Sequence, residues 1–341
     1  MLRGQYFSAG STILYFTITL FIAGCRPDHR SIRYEPADIE IKRFDQDLFD
    51  ISVYDIADNI RYLKEKYPRF LPLFGYKIIE IGGPGDPRFE EGLQAFMTDF
   101  TIYRVDRRVK EVFPDLTLIK DELANGFGRY AGYFPEYGIP EVITCISGFN
   151  QSIVTGENIL VISLDRYLGT DDEFYKLLQP PVPEYQRNVM YPQKIPSDAL
   201  YGWIVSEFTY NGKTDNLLSQ MIFKGRAMYC VKCLLREIND TLLWGFSSEQ
   251  MQFCYDNEKG MWEYLVENKL LFETEKFRVN QFVNPGPFTK DFSQESPGRA
   301  AIWIGYRIIE SLAKHQREVS LQQIMQENDY QKLLQLSKYN P

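Results

Sequence analysis

Two β-branched runs, Glu141-Val-Ile-Thr-Cys-Ile-Ser147 and Ile159-Leu-Val-Ile-Ser-Leu164, interrupt a chain that otherwise reads as helix. Side chains of this type lose χ1 freedom in a helix and pack well on a pleated surface. Thr155-Gly156-Glu157-Asn158 lies between the runs and carries a turn signal, which predicts that they pair antiparallel. Ile39-Glu-Ile-Lys-Arg-Phe44 alternates and reads as a further strand, after which Asp45 opens a turn. Helical spacing fills the flanks, over 54–66, 88–100, 102–113 and 115–131 before the runs. It resumes after a Pro-rich loop at 180–196, over 198–210, 215–237, 248–257, 261–268, 298–314 and 321–327. Asp115 and Ser296 are the expected N-caps of two of these helices, with Pro297 in the first turn after Ser296. Helices, a small sheet, then helices make an α+β fold. With no internal repeat, the 341 residues predict one mostly helical domain.

The N-terminus sets an address. Arg3 is the only charge before Arg26, and 11–24 is apolar or small throughout, which is the form of a secretory signal. Ile22-Ala23-Gly24-Cys25 ends it in the small-small-Cys form of a bacterial lipobox, so Cys25 is the expected lipidation site. The alternative is an uncleaved anchor, since the uncharged span is just long enough to cross a bilayer. The expected division is therefore a signal peptide over 1–24, a lipidated tether over 25–38 and the α+β domain over 39–341. It gives a protein held to membrane lipid through acylated Cys25, outside the cytoplasm, with inner and outer membrane both open.

Composition removes several functions. Lys plus Arg is 38 against 46 for Asp plus Glu, and loss of Arg3 with the signal leaves 37 against 46, or −9. A phosphate backbone needs a basic face, so no nucleic acid is expected as partner. The chain has only two histidines, His29 and His315. That scarcity argues against most metal-hydrolase and Ser-His or Cys-His chemistry, and no cofactor is expected. Cys230-Val-Lys-Cys233 has redox spacing but sits inside a helical pattern, and Cys145 and Cys254 read, like that pair, as small buried hydrophobes. Metal-free hydrolysis would need two carboxylates at a set separation, for which Asp45 with Asp47, Asp165 with Glu157, and Glu295 are candidates. Trp203, Trp244, Trp262 and Trp303 lie in or beside helices and are expected to pack the core.

Five strings give the chain a family likeness: Phe44-Asp-Gln-Asp-Leu-Phe49, Ile146-Ser-Gly-Phe-Asn150, Leu164-Asp-Arg-Tyr-Leu-Gly169, Asn268-Lys-Leu-Leu-Phe272, and Glu295-Ser-Pro-Gly-Arg299 followed by Trp303-Ile-Gly305. With the lipobox, they make the chain resemble the gliding motility lipoprotein GldB family of Bacteroidetes, over roughly residues 40–327. The resemblance implies a non-catalytic envelope lipoprotein that works with proteins of the gliding and type IX secretion machinery. An envelope hydrolase using carboxylates around Glu207 is the alternative.

A second likeness is local. Trp203-Ile-Val-Ser-Glu-Phe-Thr-Tyr210 is similar to the active-site helix of zincin-type peptidases, whose two ligands stand one helical turn apart. The ligand positions fall on Ser206 and Tyr210, the base position on Glu207, and the third ligand position on Lys224, before Gly225-Arg226-Ala227. An ammonium there repels a divalent cation, so the resemblance implies a zincin-like fold with its metal site lost. Lys224 is expected either to pair with Glu207, so that Glu207→Gln lowers stability, or to remain a solvated helix charge.

Overall fold

The computed structural model describes residues 32, 34–51 and 56–341. The apolar leader, Cys25, His29 and most of the tether lie outside the described residues.

Four short strands, β1 (Ile41–Arg43), β2 (Glu141–Cys145), β3 (Ile153–Gly156) and β4 (Ile159–Ser163), form one sheet in the order β1-β2-β4-β3. The turn signal is real but joins other strands than expected. It closes a hairpin between β3 and β4, with Gly156 opposite Ile159 and Asn158 left-handed at φ 55°. The 141–145 run pairs parallel with β4, and β1 pairs parallel with β2. The half-buried Ile153-Val-Thr-Gly156 is too short to announce itself beside two longer runs.

Alternation along β2 and β4 explains why both are hydrophobic throughout. Val142, Leu160 and Ile162 enter the large core, whereas Ile143, Cys145, Ile159 and Val161 enter a second, smaller one. The sheet is thus covered on both faces, and period-2 side chains feed two cores at once.

The smaller core is closed by α1 (Phe44–Phe49), α2 (Ile56–Lys66), α3 (Phe70–Leu73) with a π turn over Phe74–Ile78, and α4 (Phe89–Thr98). Where a turn is expected at Asp45, the chain enters α1 at Phe44. Asp45 and Asp47 fall in its first turn, where the helix dipole favours them. Next come α5 (Phe100–Val112) and α6 (Thr117–Tyr133); Asp115 accepts from Thr117 N but stands one residue outside the cap. The Pro-rich stretch holds α8 (Glu184–Arg187), after α7 (Glu173–Leu177), and ends in α9 (Ile195–Glu207). α9 starts before Asp198 because Pro196 occupies its first turn, where a missing N–H costs nothing.

The large core is built on α10 (Leu217–Leu234), flanked by α11 (Asp240–Trp244), α12 (Ser248–Asp256), α13 (Glu258–Glu267), α14 (Lys276–Val283), α15 (Ala300–His315), α16 (Leu321–Gln326) and α17 (Tyr330–Ser337). α10 and α15 cross backbone to backbone. A Cβ on Gly225 would lie 2.3 Å from Tyr306 N, and one on Gly305 would lie 1.9 Å from Met221 O. Gly225 and Gly305 are therefore packing glycines. Trp203, Trp244 and Trp303 are each buried in this core, and Trp262 packs partly buried against it.

Candidate functional site

The chain leaving the C-terminal end of β4 builds the site. Asp165, the second residue after the strand, is fully buried, and its carboxylate accepts from Ser147 N (3.0 Å), Phe149 N (2.6 Å) and the Ser147 hydroxyl. These bonds hold Gly148 and Phe149 in left-handed backbone, at φ 67° and 66°. Burial pushes the Asp165 carboxyl up, against the lowering pull of those donors. Arg166 then clamps the same loop, donating from Nη1 to Phe149 O (3.2 Å) and from Nε to Ser152 Oγ (3.3 Å). Two of the family strings, Ile146–Asn150 and Leu164–Gly169, are in this way one hydrogen-bonded unit.

Beside that unit lies a cavity of about 520 Å³. Its walls come from Arg166 and Tyr167, the α8 loop through Met190, the start of α9, the Trp244-Gly245-Phe246 corner, Gln250, and the facing segments Pro285–Pro287 and Pro297–Arg299. Two glycines keep the walls close. At Gly245 (φ 65°) a Cβ would sit 2.5 Å from Val189 Cγ1, and at Gly298 it would sit 2.2 Å from Gly286 O.

Lys194 reaches into the wall almost fully buried. Its ammonium donates to Asp198 Oδ1 (2.5 Å), Ser197 Oγ (2.8 Å) and Leu243 O (3.3 Å). Burial pulls its pKa down, the Asp198 carboxylate opposes this, and Arg299 adds a further downward push. The other oxygen of Asp198 accepts from the Tyr167 hydroxyl at 3.1 Å. Spacing of Lys and Asp by four places both on one face of the first helical turn.

Arg299 faces them from the start of α15. It is the N-cap of that helix in left-handed backbone (φ 56°), a conformation a non-glycine residue adopts at a cost of about 1–2 kcal/mol. Ser296, the expected cap, bonds to Thr289 instead, and Thr289 Oγ1 accepts from Ala300 N (3.0 Å). The Arg299 guanidinium donates to Trp244 O (2.7 Å) and lies 5.8 Å from the Phe246 ring. Sequence reasoning passed over Arg166, Lys194, Asp198 and Arg299 as site residues. Arg166 and Arg299 lie in two of the family strings, and the Lys194–Asp198 spacing is the remaining signal.

The residues read as a lost metal site lie elsewhere. α9 ends at Glu207, where Phe208 leaves helical backbone, so Tyr210 does not follow Ser206 one turn on along the same helix. Ser206 Oγ donates back to Trp203 O, and Tyr210 donates to Thr214 O while stacking on Tyr330. Lys224 donates to Val283 O at 3.4 Å. Among the ion pairs of the described residues none joins Lys224 to Glu207, so the expected pair is not formed. Burial alone moves the Glu207 carboxyl, upward.

The carboxylate candidates also separate. Asp45 is paired with Arg43 (2.7 Å) and accepts from Thr144, whereas Asp47 belongs to Lys66 (2.6 Å) and Tyr67. Glu157 sits in the hairpin turn at the opposite end of β4 from Asp165, and Glu295 is exposed. Cys145 and Cys230 are buried and their thiols are pushed well up by burial, away from thiolate reactivity. His315 closes α15 and contacts Ser311. Among the described residues no group of three His, Cys, Asp or Glu side chains has the placement of a metal site.

Fold and site together define a helix-rich α+β domain organised beside a cavity at the C-terminal end of its parallel strands. The family model of gliding motility protein GldB matches residues 26–341, and the chain belongs to that family of envelope lipoproteins. No curated protein and no solved structure matches it. No helix of the described residues is long and apolar enough to cross a membrane.

Proposed function

We propose that the protein is a lipid-anchored, non-catalytic component of the gliding and type IX secretion machinery that works by binding a partner at its cavity. The observation that carries this reading is the state of the cavity's inner carboxylate. Asp198 is engaged by Lys194 and Tyr167 at once, which suits a rigid recognition surface rather than a proton-transfer site. The family match begins at residue 26, immediately after Cys25, which supports acylation of that cysteine after removal of residues 1–24. Several acyl chains on one residue hold a protein to a membrane far more firmly than one chain does. Confinement to that surface raises the protein's effective concentration toward partners on it.

The hydrolase alternative has one point in its favour, the raised Glu207 carboxyl, which is the state a general acid needs. The zincin-type reading of Ser206, Glu207, Tyr210 and Lys224 keeps as support only that α9 packs against α10.

Cell fractionation of a Cys25→Ser variant tests the anchor. The variant leaves the membrane fraction and cells carrying it stop gliding; a variant still firmly membrane-bound overturns the lipid anchor.

A further inference from the structure

The cavity is short of negative charge where its arginines point. Arg166 and Arg299 both line it, and their guanidinium hydrogen bonds go to the carbonyls of Phe149 and Trp244 and to the Ser152 hydroxyl. Lys194 and Asp198 neutralise each other by contact, leaving two guanidinium groups against the exposed Glu184 at the rim. Behind the walls, the Asp165 carboxylate beside Arg166 counts −1 and the Lys224 ammonium beside Arg299 counts +1, so these two cancel in the sum. The surplus is one positive charge. Around it stand Tyr185, Val189, Met190, Trp244, Phe246 and Pro285, an apolar lining with room for a body of several heavy atoms.

We infer that the cavity binds a monoanion, a carboxylate carried on an apolar or aromatic body, with Arg299 and Arg166 receiving the carboxylate. A guanidinium fork matches a carboxylate in plane and presents donors that its present bonds do not use up. The left-handed backbone at Arg299 sets its Cα–Cβ direction, the bond to Trp244 O holds its guanidinium, and backbone strain of this kind collects at ligand sites. A single surplus charge suits a carboxylate better than a dianionic phosphate. This assignment rests on reading the cavity as the binding site; the membrane anchor and the motility role do not depend on it.

The test is titration of the detergent-solubilised full-length protein with N-acetylphenylalanine, its primary amide and phenyl phosphate, each to about 10 mM, a range that detects millimolar dissociation constants. The carboxylate binds and perturbs tryptophan fluorescence through Trp244, and the amide binds at least about tenfold more weakly, as loss of a charge-assisted contact requires. Arg299→Gln weakens the carboxylate by about tenfold. Because Arg299 also holds Trp244 O, a second variant guards against misfolding. Gln250 lines the cavity and serves the capping box of α12 with Ser247. Glu serves that box equally well, so Gln250→Glu adds a negative charge to the wall with the fold intact and weakens binding several-fold. Equal binding of amide and carboxylate, tighter binding of phenyl phosphate, binding unchanged in both variants, or no binding of any probe overturns the assignment. The membrane fractionation of Cys25→Ser reads out separately from each of these results.

Discussion

Three acidic residues on or beside the β4–α9 region show how environment decides what a carboxylate does. Asp165 accepts from two backbone N–H groups and the Ser147 hydroxyl and pins a loop. Asp198 is held between Lys194 and Tyr167. Glu207, at the end of α9, has its carboxyl raised by burial alone. A carboxyl whose folded pKa lies above its unfolded value of about 4.5 binds its proton more tightly in the folded state. Its contribution is therefore most favourable at low pH and falls as pH rises through the window between the two values. Glu207→Gln removes that fall. Thermal unfolding of the variant matches the wild type near pH 4 and is shifted to higher temperature at neutral pH. A melting temperature lowered at neutral pH would point to a cation partner such as Lys224 after all.

Elements in this protein are decided by contacts as much as by local pattern. The crossing of α10 and α15 depends on Gly225 and Gly305, since either Cβ would fall inside the other helix's backbone. Gly305→Ala is expected to cost about 3 kcal/mol, the upper end of ordinary overpacking, because a carbonyl and not a flexible side chain must move. Gly260→Ala, at an exposed position of α13 where a Cβ meets nothing within 4 Å, gains up to about 1 kcal/mol from helix propensity. Denaturant unfolding of the two variants tests the contrast, and equal midpoints would contradict the packing role.

The same distinction explains what the sequence disclosed. Long amphipathic helices such as α5 and α15, and the buried strands β2 and β4, announce themselves by periodicity and β-branching. The short β3 and α1 do not, because their partners, not their own few residues, stabilise them. Pairing direction was misread because a turn signal names a hairpin without naming its first strand. The site was legible only as strings. Arg166 belonged to one and Arg299 to another, yet nothing in their spacing reveals that these two residues converge on a cavity formed by segments more than a hundred positions apart.

At the scale of the whole molecule, a helical bulk stands on a sheet covered on both faces, with its cavity opening beside the end of β4. Lipidation would fix such a domain to a membrane surface and leave recognition to that cavity. On the reading proposed above, the protein acts by binding there and not by turnover at Glu207. That reading is tested most directly by the colony spreading of gliding cells whose only copy of the protein carries Arg299→Gln, compared with cells carrying Glu207→Gln, each at wild-type protein level. Loss of spreading with Arg299→Gln and wild-type spreading with Glu207→Gln is the predicted result; normal spreading with Arg299→Gln and loss with Glu207→Gln would contradict it.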